Sequence, residues 1–342
     1  MKIGIPKEIK ANEQRVALIP TDVQRLKEQN IEVYIETNAG LLSGYSDADY
    51  ISSGAKICKT KADLYNIANI IVKVKEPLEP EYNLITEKHT VFAFFHFASS
   101  PTLLQSMKES KATCIAYETI QDENKKFPIL APMSIIAGQQ AIKAAKQIRN
   151  QPNYENEIVT ILGVGNVGRA AAYMAKEMGY KHINLVDKDY DKLRPFEDEG
   201  FSIYEMTNLN LTFLLNKSKI IVGSIYMTGE KATKLISKRM LDVLQKDLLI
   251  MDVAIDQGGI TDLSSPTTIS NPLIEYKNVK IYCVPNIPST VPSDASSKLS
   301  NAIYPYLVNF INSNINEISP ELKTGVNIYH GELFHESLKN IV

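Results

Sequence analysis

Short apolar runs alternate with amphipathic stretches from the first residues of the chain. Lys2–Ile5, Ile31–Glu36, Ile70–Val74, Thr90–Phe95 and Ala112–Tyr117 read as strands, because β-branched and aromatic residues are gathered into short runs between turn residues. Helical spacing of apolar residues predicts helices between them, among them Thr21–Asn30, capped by Thr21, and Pro101–Ser110. Pro132 then opens a longer helix, Met133–Arg149, followed by a polar, Pro-containing loop, Asn150–Asn156. A second series begins at Glu157, with strands at Ile158–Leu162, Ile183–Val186, Lys219–Val222, Leu248–Val253 and Lys280–Val284. Asp294–Asn314 reads as another long helix. Strands separated by helices need crossover connections, so both sheets are predicted to be mostly parallel and covered on both faces. The expected fold class is α/β: two doubly wound domains joined by long helices. One spans 1–132 and is completed by 293–342; the other, 133–292, is inserted between them.

Composition narrows the partners. Among 342 residues, 44% are hydrophobic and 22% charged, the balance of a well-cored globular protein. Lys and Arg number 37 against 39 Asp and Glu, a net charge of −2 with no basic run, which argues against nucleic acid or an anionic membrane as partner. Apolar runs such as Val91–Phe95 and Leu248–Met251 fall far short of the roughly 18 residues that span a bilayer. The opening MKIGIPKEIK lacks the apolar core of a secretion signal, so a cytoplasmic location is expected. Cys58, Cys114 and Cys283 then read as reduced thiols, and the sequons at Asn210 and Asn216 as chance matches.

The sharpest chemical signal is TILGVGNVGRAAAYMAKEMGY, which sets Gly163, Gly165 and Gly168 in G-x-G-x-x-G spacing. Such a turn needs its first glycine for tightness, its second so that a pyrophosphate can approach the backbone, and its third for close packing of helix on strand. Asn166 and Val167, between the second and third glycines, would offer helix N-terminal amides to the phosphates. Glycines cluster in many turns; here the turn follows an apolar strand and opens an Ala-rich helix. Asp187 ends the next strand, 19 residues after Gly168, where a carboxylate would bind the ribose hydroxyls and repel a 2′-phosphate. The second domain is thus expected to be Rossmann-like and to bind NAD rather than NADP, a preference slightly weakened by Lys188.

The segments IGIPKEIKANEQRVALIP, ETNAGLLSGYSDADY, IVKVKEP, AYET, PMSIIAG, MDVAIDQGGI, VPNIPSTVP and GVNIYHGELFHESL together resemble, in order and over essentially the whole chain, the alanine dehydrogenase and pyridine nucleotide transhydrogenase family. The resemblance implies two Rossmann-like domains, an N-terminal substrate domain completed by the C-terminal residues, and an inserted NAD domain. It also implies NAD-dependent oxidative deamination of a small L-amino acid, foremost L-alanine, to a 2-keto acid and ammonia.

Matched position by position, the family's substrate-binding residues fall on Arg15, Lys75 and Asn286, its catalytic residues on His96, Asp256 and Lys75, and a further cofactor contact on Ser134. The chemistry suits the residue types. Arg15 and Lys75 can hold an α-carboxylate by charge-assisted hydrogen bonds, and His96 can activate the water that hydrolyses an imine. Asp256 would orient that imidazole or pair with the iminium charge. Taken without the family, His96 reads more readily as a core histidine, while an exposed strand-end charge for Lys75 and a solvated loop residue for Arg15 stay open as readings. Lys75, His96 and Asp256 nevertheless all lie at predicted strand ends, where open parallel sheets bind ligands. None of these residues is expected to hold a metal.

The chain departs from the family pattern in its short polar link Ile148–Asn156, in Phe94 where Tyr is common, and in Ser293 where the dehydrogenases often have Arg. The stretch SDASS is nearer the transhydrogenase branch. Family members commonly form hexamers; the short link predicts a homo-oligomer that stops at the dimer. Two other activities stay open. One is a saccharopine- or opine-type dehydrogenase that condenses an amino acid with a keto acid. The other is an NAD(H)-binding transhydrogenase-like subunit, against which the retained Lys75 argues.

Overall fold

The apolar runs near the start of the chain become the middle of a sheet. The computed structural model describes residues 1–225, 233–244, 247–313 and 317–339, which fall into two units: Met1–Met133 with Ser289–Val342, and Ser134–Pro288. Unit 1 begins with β1 (Lys2–Ile5), β2 (Glu32–Glu36), β3 (Lys56–Cys58), β4 (Ile70–Lys75), β5 (Thr90–Phe94) and β6 (Thr113–Ala116). These six pair in parallel, β1 lying between β2 and β4, with Ile3 opposite Val33 and Ile70. Ile3, Ile5, Ile35, Ile71, Val72, Phe92 and Ala93 are fully buried, each large one stabilising the fold by about 1.5–3 kcal/mol.

Unit 2 contains β7 (Ile158–Leu162), β8 (His182–Asp187), β9 (Ser202–Glu205), β10 (Ile220–Gly223), β11 (Leu248–Asp252), β12 (Leu273–Tyr276) and β13 (Val279–Tyr282), in the spatial order β12-β13-β11-β10-β7-β8-β9. Only β12 runs antiparallel, against β13. Both sheets start at an inner strand, go one way, then return and go the other. Each therefore has a switch point, between β1 and β4 in unit 1 and between β7 and β10 in unit 2. Two further strands follow unit 2 in the chain, β14 (Val326–Tyr329) and β15 (Glu332–Leu333). They extend the unit 1 sheet, β14 pairing antiparallel with β6.

Local chemistry corrects several expected boundaries. The first helix is Pro20–Glu28, and its N-cap is Ile19 rather than Thr21. Pro20 lacks an N–H and has a helical φ preset, which favours the first turn. The amide hydrogens of Val16 and Ile19 are taken instead by the hydroxyls of Ser296 and Ser300, at 2.9 and 3.0 Å. Likewise the long helix is Leu130–Arg149 and accommodates Pro132 in its first turn while carrying the chain from unit 1 into unit 2. The other long helix, Pro292–Asn312, belongs wholly to unit 1, and the chain re-enters that unit through the short turn Ile287–Thr290. Asn314, expected in that helix, lies outside the described residues. The three cysteines are buried and unpaired. Among the described residues, no helix is long and apolar enough to cross a membrane.

Candidate functional site

In unit 2 the glycine-rich turn sits at the switch point, between the carboxyl ends of β7 and β10. Gly163 has φ 94° and donates to the Val186 carbonyl at 2.7 Å. Ser224, just beyond β10, binds the carbonyls of Leu162 and Gly163 at 2.9 and 2.8 Å. A Cβ at Gly168 would stand 1.8 Å from the Gly163 carbonyl oxygen, so no larger residue fits. Gly165 is the opposite case: a Cβ there would meet no protein atom within 4 Å. The fold itself does not demand that glycine, and the open space lies at the N-terminus of helix Asn166–Glu177, which begins with Asn166 and Val167. Helix-end amides facing open space suit an anionic group that must approach the backbone closely.

Asp187 is the last residue of β8. One of its oxygens accepts the Val164 amide at 2.9 Å and the other the Asp189 amide at 3.1 Å, so this carboxylate is tied to the glycine turn. Ser134 is half-buried on the long helix, one turn before Gly138. A Cβ on Gly138 would come within 2.1 Å of the Val167 carbonyl, so this helix packs directly on the start of the glycine-turn helix.

Asp256 lies in the short turn Val253–Gln257 that follows β11, exposed, and accepts the Asn286 amide at 3.3 Å. Asn286 is held left-handed, at φ 56°. The structure thus brings together two residues that the sequence sets 30 apart. Their anchor went unread in the sequence: Asp252, fully buried at the end of β11. It accepts the Ile260 amide at 2.8 Å and the Ser264 hydroxyl at 2.5 Å, closing the loop from which Asp256 projects. Burial pushes the Asp252 carboxyl up, against the pull of the Ser264 hydrogen bond.

In unit 1 the candidates occupy the carboxyl edge of the sheet around its own switch point. Arg15, in the loop after β1, is buried rather than solvated. Glu13 grips it bidentately, at 2.7 Å to Nε and 2.6 Å to Nη2, and Nη1 points at the Met133 sulfur at 3.2 Å. Glu13, absent from the sequence reading, thereby fixes the plane of the guanidinium. Lys75 is the half-buried last residue of β4. Beneath it Lys73 is completely buried, 2.9 Å from Glu81 and 3.3 Å from Glu8. Burial opposes the Lys73 charge, but the two carboxylates outweigh it and hold the ammonium protonated. Burial pushes Glu8 up; Lys73 and Lys61 pull Glu81 down despite burial. Glu8 also accepts the Val74 amide at 2.7 Å, which ties the end of β1 to the residue before Lys75.

His96 follows β5 and is exposed, so the core-histidine reading fails. Its backbone is left-handed at φ 49°, a conformation that costs a non-glycine residue about 1–3 kcal/mol and persists only where something holds it. Glu118 holds it: one carboxylate oxygen accepts the His96 amide at 2.6 Å and the other the Phe95 amide at 3.2 Å. The imidazole stacks on Phe94 with ring centroids 6.1 Å apart and an interplanar angle of 7°. Glu118 was visible in the sequence only as part of AYET, with no role attached.

Both parts of the chain match known proteins. The model of the alanine dehydrogenase/PNT N-terminal domain matches residues 4–137, and that of the C-terminal domain residues 150–336. An alanine dehydrogenase of Methanococcus maripaludis is 35% identical over 357 residues, covering 99% of this chain and 95% of that one. An L-alanine dehydrogenase structure superposes with a TM-score of 0.92 at 31% identity, covering 100% of this chain and 99% of that one. A transhydrogenase structure from Sinorhizobium meliloti, at 20% identity and a TM-score of 0.86 over 98% of this chain and 100% of that one, shares the fold. With family models matching both parts of its sequence and such a relative along its whole length, the chain belongs to the alanine dehydrogenase/PNT family.

Proposed function

We propose that this protein is an NAD-dependent alanine dehydrogenase that interconverts L-alanine with pyruvate and ammonia. The observation that carries the reading is full-length kinship with alanine dehydrogenases in a chain that keeps Arg15, Lys75 and His96 at the carboxyl edge of one sheet. In this reading unit 2 is the NAD domain and unit 1 the substrate domain. Gly163, Gly165 and Gly168, with the amides of Asn166 and Val167, hold the pyrophosphate, for which the open space at Gly165 is the fit. Asp187 takes the adenosine ribose hydroxyls, and Ser134 makes a further contact. When bound, NAD supplies the hydride acceptor that turns the amine into an imine.

The chain's own residues do the rest. Arg15, its guanidinium fixed by Glu13, and Lys75 hold the α-carboxylate; Asn286 is a further substrate contact. His96 takes the proton of the water that attacks the imine carbon and returns it as ammonia leaves. Asp256 balances the positive charge on the iminium nitrogen. We place the protein in the cytoplasm as a homodimer. The link after Arg149 is short and pinned by the Arg149–Glu157 ion pair at 2.8 Å, and light scattering that gives a hexamer would overturn that assembly.

The test is NADH oxidation with 2-keto acids, offering ammonium or amino acids as the amine. Pyruvate with ammonium should turn over best. Turnover that needs an amino acid in place of ammonium assigns a condensing dehydrogenase instead. NADH binding without turnover assigns a transhydrogenase-like subunit.

A further inference from the structure

We propose that Arg169 is a specificity-determining residue of the dinucleotide site, a cation on the same glycine turn that Asp187 binds, which lets this protein accept an adenosine ribose carrying a 2′-phosphate as well as one without it. The proposal rests on the reading of unit 2 as the dinucleotide-binding unit. Arg169 directly follows Gly168, on the first turn of helix Asn166–Glu177, and its side chain folds back over the glycine turn. Its Nε donates to the Val164 carbonyl at 2.9 Å, and the guanidinium lies over the Phe196 ring, 5.4 Å from its centroid. Val164 is thus held from two sides, its carbonyl by Arg169 and its amide by Asp187 at 2.9 Å.

Phe196 belongs to the short turn Arg194–Phe196, on the crossover from β8 to β9. Arg169 therefore lies on the β8 side of the glycine turn, the side on which an acid at the end of the second strand meets the adenosine ribose. The bond to Val164 uses Nε alone, and the residue is exposed. Among the described residues no hydrogen bond engages its two terminal nitrogens, a planar pair that matches two oxygens of a phosphate. Asp187 taken alone predicts strict exclusion of a 2′-phosphate. An arginine held in place by Val164 and Phe196 supplies the charge that offsets that repulsion, with Lys188 next to Asp187 adding to it.

The experiment measures dissociation constants of NADH and NADPH by nicotinamide fluorescence, using the full chain and its Arg169→Gln and Arg169→Lys variants. Wild type should bind both, NADPH more weakly and with the steeper salt dependence. Arg169→Gln should weaken NADPH about tenfold, the effect of losing one charge-assisted hydrogen bond, and NADH by less than about threefold. Arg169→Lys, which keeps the charge but not the fork, should fall between wild type and Arg169→Gln for NADPH. Equal weakening of both dinucleotides in the two variants would reduce Arg169 to a strut of the turn and overturn the proposal. So would wild type that binds NADH but not NADPH. Wild type that binds neither removes the dinucleotide reading, and this proposal with it.

Discussion

Replacing Glu118 by Ala tests whether the shape of the His96 backbone, and not only its imidazole, is needed for turnover. The substitution removes the acceptors for the amides of Phe95 and His96, at 3.2 and 2.6 Å. Hydrogen bonds to a charged group are worth about 1.5–3 kcal/mol when sheltered, and less here because His96 is exposed, so the two together contribute about 2–4 kcal/mol. Against this stands the strain at φ 49°, whose release returns about 1–3 kcal/mol. Global stability should therefore fall by no more than about 3 kcal/mol. The bias toward the left-handed backbone, however, loses the whole grip of the carboxylate. At about 1.4 kcal/mol per tenfold, the competent conformer becomes a minor species, and kcat for L-alanine oxidation should drop about 10- to 100-fold with the Michaelis constant for NAD unchanged. Glu118→Gln offers one carbonyl oxygen but turns an amide N–H toward the second donor, so its defect should be about tenfold. Initial rates at saturating substrate, with a thermal melt of each variant, measure both effects. The double variant Glu118→Ala/His96→Ala should be no slower than His96→Ala alone, since a positioning residue has nothing left to position. A Glu118→Ala enzyme with wild-type kcat, or a double variant far slower than His96→Ala, would show that Glu118 does not act by positioning His96.

His96→Ala itself should slow turnover by about 10²–10⁴ without weakening NADH binding, which fluorescence titration checks. Gly165→Ala should leave the melting temperature within a few degrees of wild type, because its Cβ meets no protein atom, yet weaken NADH at least about tenfold. Gly168→Ala, whose Cβ would overlap the Gly163 carbonyl, should instead lower the yield of folded protein. His89 is buried and accepts the Thr86 amide on Nδ1 at 2.9 Å. Burial lowers its pKa, so the folded value lies below the unfolded one. Its contribution is then present above about pH 6.5 and is lost as the pH falls through the folded value. Melts between pH 7 and 5 should show a smaller acid-side loss for His89→Gln than for wild type.

The two sheets and the glycine turn were legible in the sequence because their signals are local: β-branched runs, a helical period and three glycines at fixed spacing. What escaped depends on tertiary neighbours. β3 and β15 are only three and two residues long, and β9 is an edge strand with no fully buried residue. Arg15 read as solvated because its bidentate partner Glu13 is itself an unremarkable loop acid until the chain folds both inward. Glu118 is 22 residues from the backbone it shapes. Asp252 and Asp256 share one motif, and nothing in their spacing tells which carboxylate is the buried anchor and which the exposed one. The chemistry of each candidate residue could be read from its type; its rigidity could not, because it comes from acids contributed by other turns and strands.

The return of β14 and β15 to the first sheet also bears on how the chain reaches its native state during synthesis. Unit 2 is one continuous stretch, Ser134–Pro288, and every strand of its sheet leaves the ribosome before Val326 does. Unit 1 has no such autonomy. Until β14 emerges, the open side of β6 presents unpaired backbone groups on a strand of four buried residues, the kind of edge that recruits other chains. Domains tend to fold as units in order of emergence, so unit 2 can be complete while unit 1 still waits with that edge exposed. Closing it joins segments separated by the whole of unit 2, a long-range contact of the kind that slows folding. The interval between the two events is the period in which the nascent chain presents that edge to other chains.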